Sequence, residues 1–428
     1  MEKITFDQLH EQLYYEKLNN GLDVYILPKQ GFNKTYATFT TKYGSIDNHF
    51  LPPGKDDYVK VPDGIAHFLE HKLFEKEDGD VFQQFSKQGA SANAFTSFTR
   101  TAYLFSSTSN VEQNLETLID FVQAPYFTEK TVEKEKGIIG QEITMYDDNP
   151  DWRLYFGLIQ NMYENHPVKI DIAGTIESIS HITKDMLYEC YETFYHPSNM
   201  LLFIVGPVDQ EQVMKMVKDN QDRKEYKELP DIKRKFEDEP VAVAQKKQVL
   251  EMNVQTSKCL VGIKARNVTQ SGKEMLMKEL SLNVMLDILF GKSSEHYSAL
   301  YNEGLIDETF SFDYTEENGF GFAMIGGDTS NPDRLADTIK KILLEAKGTI
   351  TDESIERTKK KKIGAFLRAV NSPEYIANQF TRYAFNDMDL FEVVPTLESI
   401  TIADIELAAD EVIGEEQFTV CQVVPKNK

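Results

Sequence analysis

A chain of 428 residues is too long for one ordinary hydrophobic core, so two or three domains are expected, and 41% hydrophobic with 27% charged residues is a soluble globular composition. The net charge of −23 argues against nucleic-acid binding, which needs basic surface to neutralise phosphates. Cys190, Cys259 and Cys421 are odd in number and far apart, as expected of buried thiols in a reducing, cytoplasmic setting, and no secretory start or membrane-spanning apolar run is legible.

In chain order, the first elements read as β structure. Asn20-Gly21 is a hairpin turn signal, Leu22 to Leu27 alternates as a strand ending at Pro28, and Tyr36 to Thr40 is a second β-rich run. A helix follows within Pro62 to Phe74, with Asp63 as its expected cap and Gly64 easing the entry turn. Gly89 to Thr96 and Thr101 to Ser106 form a β pair, and Val111 to Gln123 is an amphipathic helix stopped before Pro125. Thr128 to Asp148 reads as a long helix capped by Thr128, with Val132, Ile139, Ile143 and Tyr146 as its buried stripe. Residues 149–200 are mainly helical, and Leu201 to Gly206 is a buried strand. Residues 219–240 are charged and lack apolar periodicity, and are read as a linker between a domain at 1–218 and another at 241–428.

The helix after Pro62 carries the chemistry. At about 100° per residue, Ile65, Phe68, Leu69 and Leu73 share one face, while His67, Glu70, His71 and Phe74 share the opposite one. Histidines at i and i+4 can hold one metal ion, and the glutamate just before the second can reach a water on that metal without being a ligand. This is the H-x-x-E-H inversion of the zinc-protease helix. The plain alternative is a polar helix face that happens to carry two histidines. On the long helix, Glu135 and Glu142 lie two turns apart on one side, and Glu142 beside Ile139 and Ile143 is expected to be half-buried and to need a partner.

The second half repeats the first. Thr101 to Asn110 parallels Phe322 to Asn331, and Thr175 to Ile179 parallels Thr396 to Ile400, at one shared offset. Between them, Thr128 to Lys134 matches Thr351 to Arg357, and Asn149 to Asp151 matches Ser372 to Glu374, at an offset two residues longer. In that register Glu135 becomes Thr358 and Glu142 becomes Ala365, and the second half has no H-x-x-E-H. Carboxylates kept only in the copy with the histidines favour metal chemistry over helix solubility.

His67-Phe68-Leu69-Glu70-His71, with Glu142 downstream and Glu135 one heptad before it, resembles the pitrilysin/insulinase family of zinc peptidases, specifically its half-length bacterial members. Asn93-Ala94-Phe95-Thr96 is similar to that family's Asn-Ala-x-Thr substrate strand, and Tyr195 to Met200 extends the likeness. The resemblance implies an α+β fold of two homologous α/β domains, each an antiparallel-rich sheet packed by helices: a zinc-binding catalytic domain at 1–218 and a degenerate repeat at 241–428. It implies Zn2+ held by His67, His71 and Glu142, Glu70 as general base, Glu135 supporting a ligand histidine, and Asn93, Ala94 and Phe95 binding an extended peptide. The implied activity is hydrolysis of peptides or small unfolded polypeptides in an enclosed chamber. One departure stands out: where active relatives carry an Arg and a Tyr in the second domain, the run Leu300 to Asp307 has Tyr301 and Asp307. A half-length chain supplies two of the four domains of a closed chamber, so a homodimer, or a heterodimer with a related zinc-less chain, is expected. Two alternatives stay open: a non-catalytic or partner-dependent subunit, and a different zinc reaction on a small molecule.

Overall fold

The computed structural model describes residues 1–77, 79–268 and 272–426. The chain divides into two compact units, neither of them contiguous. One comprises Met1–Ile143, Asp171–Phe236 and Ala369–Phe385; the other comprises Thr144–Ile170, Glu237–Arg368 and Asn386–Lys428. The contiguous bounds read from the sequence do not describe this packing, because a stretch of each half completes the unit built mainly by the other. No helix among the described residues is long and apolar enough to cross a membrane.

The first unit is built on a seven-stranded sheet of β1 (Glu2–Phe6), β2 (Glu11–Lys17), β3 (Asp23–Pro28), β4 (Thr35–Thr41), β5 (Ala90–Thr96), β6 (Thr101–Ser107) and β7 (Met200–Gly206). Its order is β1-β2-β3-β7-β4-β6-β5, antiparallel except for the β3–β7 pair. The central strands β4 and β7 are buried along their whole length, as expected of strands covered on both faces. On the sheet pack α1 (Ile65–Leu73), α2 (Val81–Lys87) and α3 (Val111–Val122), and the unit also contains most of α4 (Glu129–Asp147). The helix Pro373–Phe385 also lies on the sheet, where Phe380 meets the rings of Tyr25 and Phe203.

The second unit has a five-stranded sheet of β8 (Lys247–Met252), β9 (Ser257–Lys264), β10 (Ser311–Glu317), β11 (Phe320–Thr329) and β12 (Phe418–Pro425) in the order β8-β12-β9-β11-β10. Only β8 and β12 run parallel. This reproduces the order and strand directions of β3-β7-β4-β6-β5, so the duplication legible in the sequence is a duplicated fold. The helix Pro150–Met162 packs on this sheet, close enough that a β-carbon at Gly262 would fall 2.2 Å from Met162.

Three local readings need correction. Asp63 does not cap α1: its carboxylate accepts from Asn48, and Gly64 takes the cap position in the left-handed region at φ +88°. Tyr146 is half-buried, stacked on Trp152, rather than part of a core stripe. The charged linker is partly structured, since a helix runs on to Gln221 and Lys233–Arg234 pair with His49–Leu51. There Arg234 binds Asp47 at 2.5 Å and the Lys42 carbonyl, fixing the segment that leads toward α1.

The start of α1 depends on two glycines set back to back. A β-carbon on Gly64 would meet the Ala173 carbonyl oxygen at 2.3 Å, and one on Gly174 would meet the Asp63 carbonyl oxygen at 2.5 Å. Gly64→Ala is therefore expected to cost about 2 kcal/mol or more, from the left-handed backbone and the clash together. Gly54→Ala, at φ +74° with open space around it, should cost only about 1 kcal/mol. Chemical denaturation of the two variants checks this, and equal losses would contradict it.

Candidate metal centre

Helix α1 is short and almost wholly buried. Phe68, Leu69 and Leu73 have no exposed surface, and Ile65 is 3% exposed, so this face is locked into the core. The opposite face brings His67, Glu70 and His71 toward α4, which contributes Glu135 and Glu142. Thr128 caps α4, its Oγ1 accepting from the Thr131 N–H, so the long helix is held from its first turn.

Ligating atoms of His67, His71 and Glu142 all lie within 4.8 Å of one another. His67 Nε2 stands 3.7 Å from one Glu142 oxygen, and His71 Nε2 stands 3.6 Å from the other. Ligands about 2.0–2.1 Å from a tetrahedral zinc ion stand about 3.3 Å from each other, so small adjustments would close this set around one ion. Two imidazoles and one carboxylate are also the donor chemistry of a catalytic zinc site with an open fourth position. His71 turns its other nitrogen, Nδ1, to Glu135 Oε1 at 3.1 Å, the carboxylate support that orients metal-bound histidines and raises their basicity. The residues present therefore fit a zinc ion.

The electrostatics match. Burial, with the His71 charge second, pushes the His67 imidazole down to about 3, so it is neutral and free to donate a lone pair at neutral pH. Burial pushes the Glu70 carboxyl up to about 7, only partly offset by the hydrogen bond it accepts from Thr96 Oγ1 at 2.6 Å. For His71, burial opposes protonation, but the Glu135 hydrogen bond and the nearby Glu70 and Glu142 carboxylates raise it on balance. Glu70 thus combines a pKa near neutrality with a fixed direction, the two properties a general base needs.

A cleft of 680 Å³ opens beside Glu70 and His71, with Phe74, Glu135, Asn93 and Ala94 also on its wall. Of the five residues expected to do the chemistry, Glu70, His71 and Glu135 line this cleft, and two of the three expected to bind substrate, Asn93 and Ala94, line it with them. Phe95 does not line it and instead lies against the Arg100 guanidinium. Asn93 is exposed on β5, its Oδ1 accepting from the Ala94 N–H. Strand β5 ends the sheet, and among the described residues no strand pairs with its outer side.

Two participants were not singled out from the sequence. Thr96, which aims Glu70, belonged to a motif already noted, but only the fold brings its hydroxyl to the carboxylate. Lys72 is fully buried beside Glu75 and Glu135. Its signal was available, since helical spacing puts it between Ile65 and Phe68 on the apolar face.

The family model described as "Insulinase (Peptidase family M16)" matches residues 60–176, and that described as "Peptidase M16 inactive domain" matches residues 181–362. A Bacillus subtilis (strain 168) protein named "Uncharacterized zinc protease YmfH" is 69% identical over 427 residues, spanning 100% of both chains. A crystal structure described as that of a "putative M16-like peptidase from Alicyclobacillus acidocaldarius" superposes with a TM-score of 0.93 at 39% identity, covering 97% of this chain and 99% of that one. A protease from Helicobacter pylori matches with a TM-score of 0.81 at 20% identity over 97% of this chain and 100% of its own, a likeness of fold.

Glu135→Gln is expected to leave the fold intact and weaken zinc binding by about 10–100-fold, the usual effect of removing a carboxylate behind a ligand histidine. Competition with a chromophoric chelator measures it, and an unchanged dissociation constant would contradict the role.

Proposed function

The chain belongs to the M16, or insulinase, family of peptidases, and from that premise we propose that it is a zinc-dependent endopeptidase cutting peptides or small unfolded polypeptides, with Glu70 as general base. The observation that carries this reading is the convergence of His67, His71 and Glu142 around one point, with the Glu70 carboxylate beside it and Glu135 behind His71. Zinc bound there supplies Lewis acidity toward a water and a substrate carbonyl at neutral pH. The protein residues do the rest. Glu70, pinned by Thr96, takes the proton of the attacking water and passes it to the departing amine. His67, kept neutral by burial, and Glu142 hold the centre from two helices. Glu135 keeps the Nδ1–H of His71 directed inward, leaving its Nε2 toward Glu142. An extended peptide would add to the free edge of β5 past Asn93 and Ala94, a mode that reads backbone more than side chains.

The same proposal includes a partner. The run Leu300 to Asp307 carries Tyr301 and Asp307 where active relatives carry Arg and Tyr, which favours a dimer in which another half-length chain, itself or a zinc-less relative, completes the substrate site. The second reading, a subunit that is silent without such a partner, rests on that same run. Full turnover by the purified chain alone would remove it.

Comparing wild type with Glu70→Gln on a quenched peptide library tests the mechanism. The variant is expected to retain zinc and lose about 100-fold or more of kcat/KM, the usual contribution of a positioned general base. Unchanged turnover, or activity that persists after exhaustive chelation, would contradict it.

A further inference from the structure

Lys72 has no exposed side-chain surface, a state lysine almost never adopts unless it is paired, because removing an ammonium group from water is expensive. It occupies the middle of the apolar face of α1, where a leucine or methionine would fill the same space without that cost. Filling space therefore does not account for the charge. Its ammonium donates to Glu75 and stands 3.9 Å from Glu135 Oε2. Of these two carboxylates, Glu75 is 32% exposed and can be solvated by water, whereas Glu135 is only 11% exposed. The group whose burial calls for a nearby cation is Glu135. Its other oxygen, Oε1, is the one 3.1 Å from His71 Nδ1.

We propose that Lys72 is a positioning residue of the metal centre, acting through Glu135. The buried ammonium, 3.9 Å from Glu135 Oε2, holds the Glu135 carboxylate turned inward, so that its Oε1 accepts from His71 Nδ1–H and keeps His71 Nε2 toward Glu142. The chain of contacts runs Glu75, Lys72, Glu135, His71, and it ties the last turn of α1 to α4 through charge as well as packing. This inference rests on the zinc reading of the site and adds to it a residue on the side of the helix that faces away from the cleft.

The test is a double-mutant cycle on the full-length chain, with the zinc dissociation constant read by chelator competition for wild type, Lys72→Met, Glu135→Gln and the double variant. Lys72→Met is expected to weaken zinc binding by about 10–100-fold, and the double variant to be no weaker than Glu135→Gln alone, since the lysine acts through that carboxylate. The absorption bands of the cobalt-substituted protein should change in Lys72→Met as they do in Glu135→Gln. An unchanged dissociation constant accompanied by a lower thermal midpoint of the metal-free protein would mean a merely structural lysine and overturn the proposal. Additive losses in the double variant would overturn it too. If Lys72→Met does not fold, Lys72→Gln, which keeps a donor without the charge, is read by the same outcomes. A wild-type chain that binds no zinc at all would defeat the underlying zinc reading, a result distinct from a neutral Lys72.

Discussion

The structure around α1 is governed by one constraint: three carboxylates and two imidazoles are gathered where water is scarce. Taking charged groups out of water costs several kcal/mol each unless a change of protonation or a cation relieves it. The first response is visible in the side chains. Glu70 is pushed up to about 7 and His67 down to about 3, each toward its neutral form, with burial as the leading cause. A divalent cation among His67, His71 and Glu142 would relieve the same cost directly, and the donor set has the chemistry and spacing to accept one.

That constraint explains the rigidity built around the helix. The apolar face of α1 is seated on the sheet, its start is fixed by the reciprocal approach of Gly64 and Gly174, and its end is joined to α4 through Lys72 and Glu135. A site that must hold ligands to within fractions of an ångström is built from helices and an edge strand, not from loops. The second unit repeats the strand order with other side chains: Thr358 and Ala365 stand in the register of Glu135 and Glu142. The duplication thus separates what the fold requires from what the chemistry requires.

Much of this was legible in the sequence because its signals are local and periodic. The i, i+4 histidines, the apolar face of α1, the β4 and β7 runs and the capped α4 all rest on spacing within one element. Glu135 and Glu142 became legible through the repeat, which served as an internal control. What escaped depends on contacts between distant segments. The cap position of Asp63 was lost to a glycine whose role is set by Ala173, far along the chain. The placement of the helix Pro150–Met162 in the second unit leaves no mark in composition, because an apolar helix face does not specify which sheet it covers. Lys72 was overlooked because a charged residue on an apolar face reads as an interruption until its partners are seen.

In the proposed function, His67, His71 and Glu142 together hold one zinc ion. The most direct measurement is zinc stoichiometry by elemental analysis on purified wild type, His71→Ala and Glu142→Ala, each equilibrated against the same low free zinc concentration. One zinc per chain is expected in wild type and only traces in the two variants, with their secondary structure retained. Equal zinc in all three, or none in any, would contradict it.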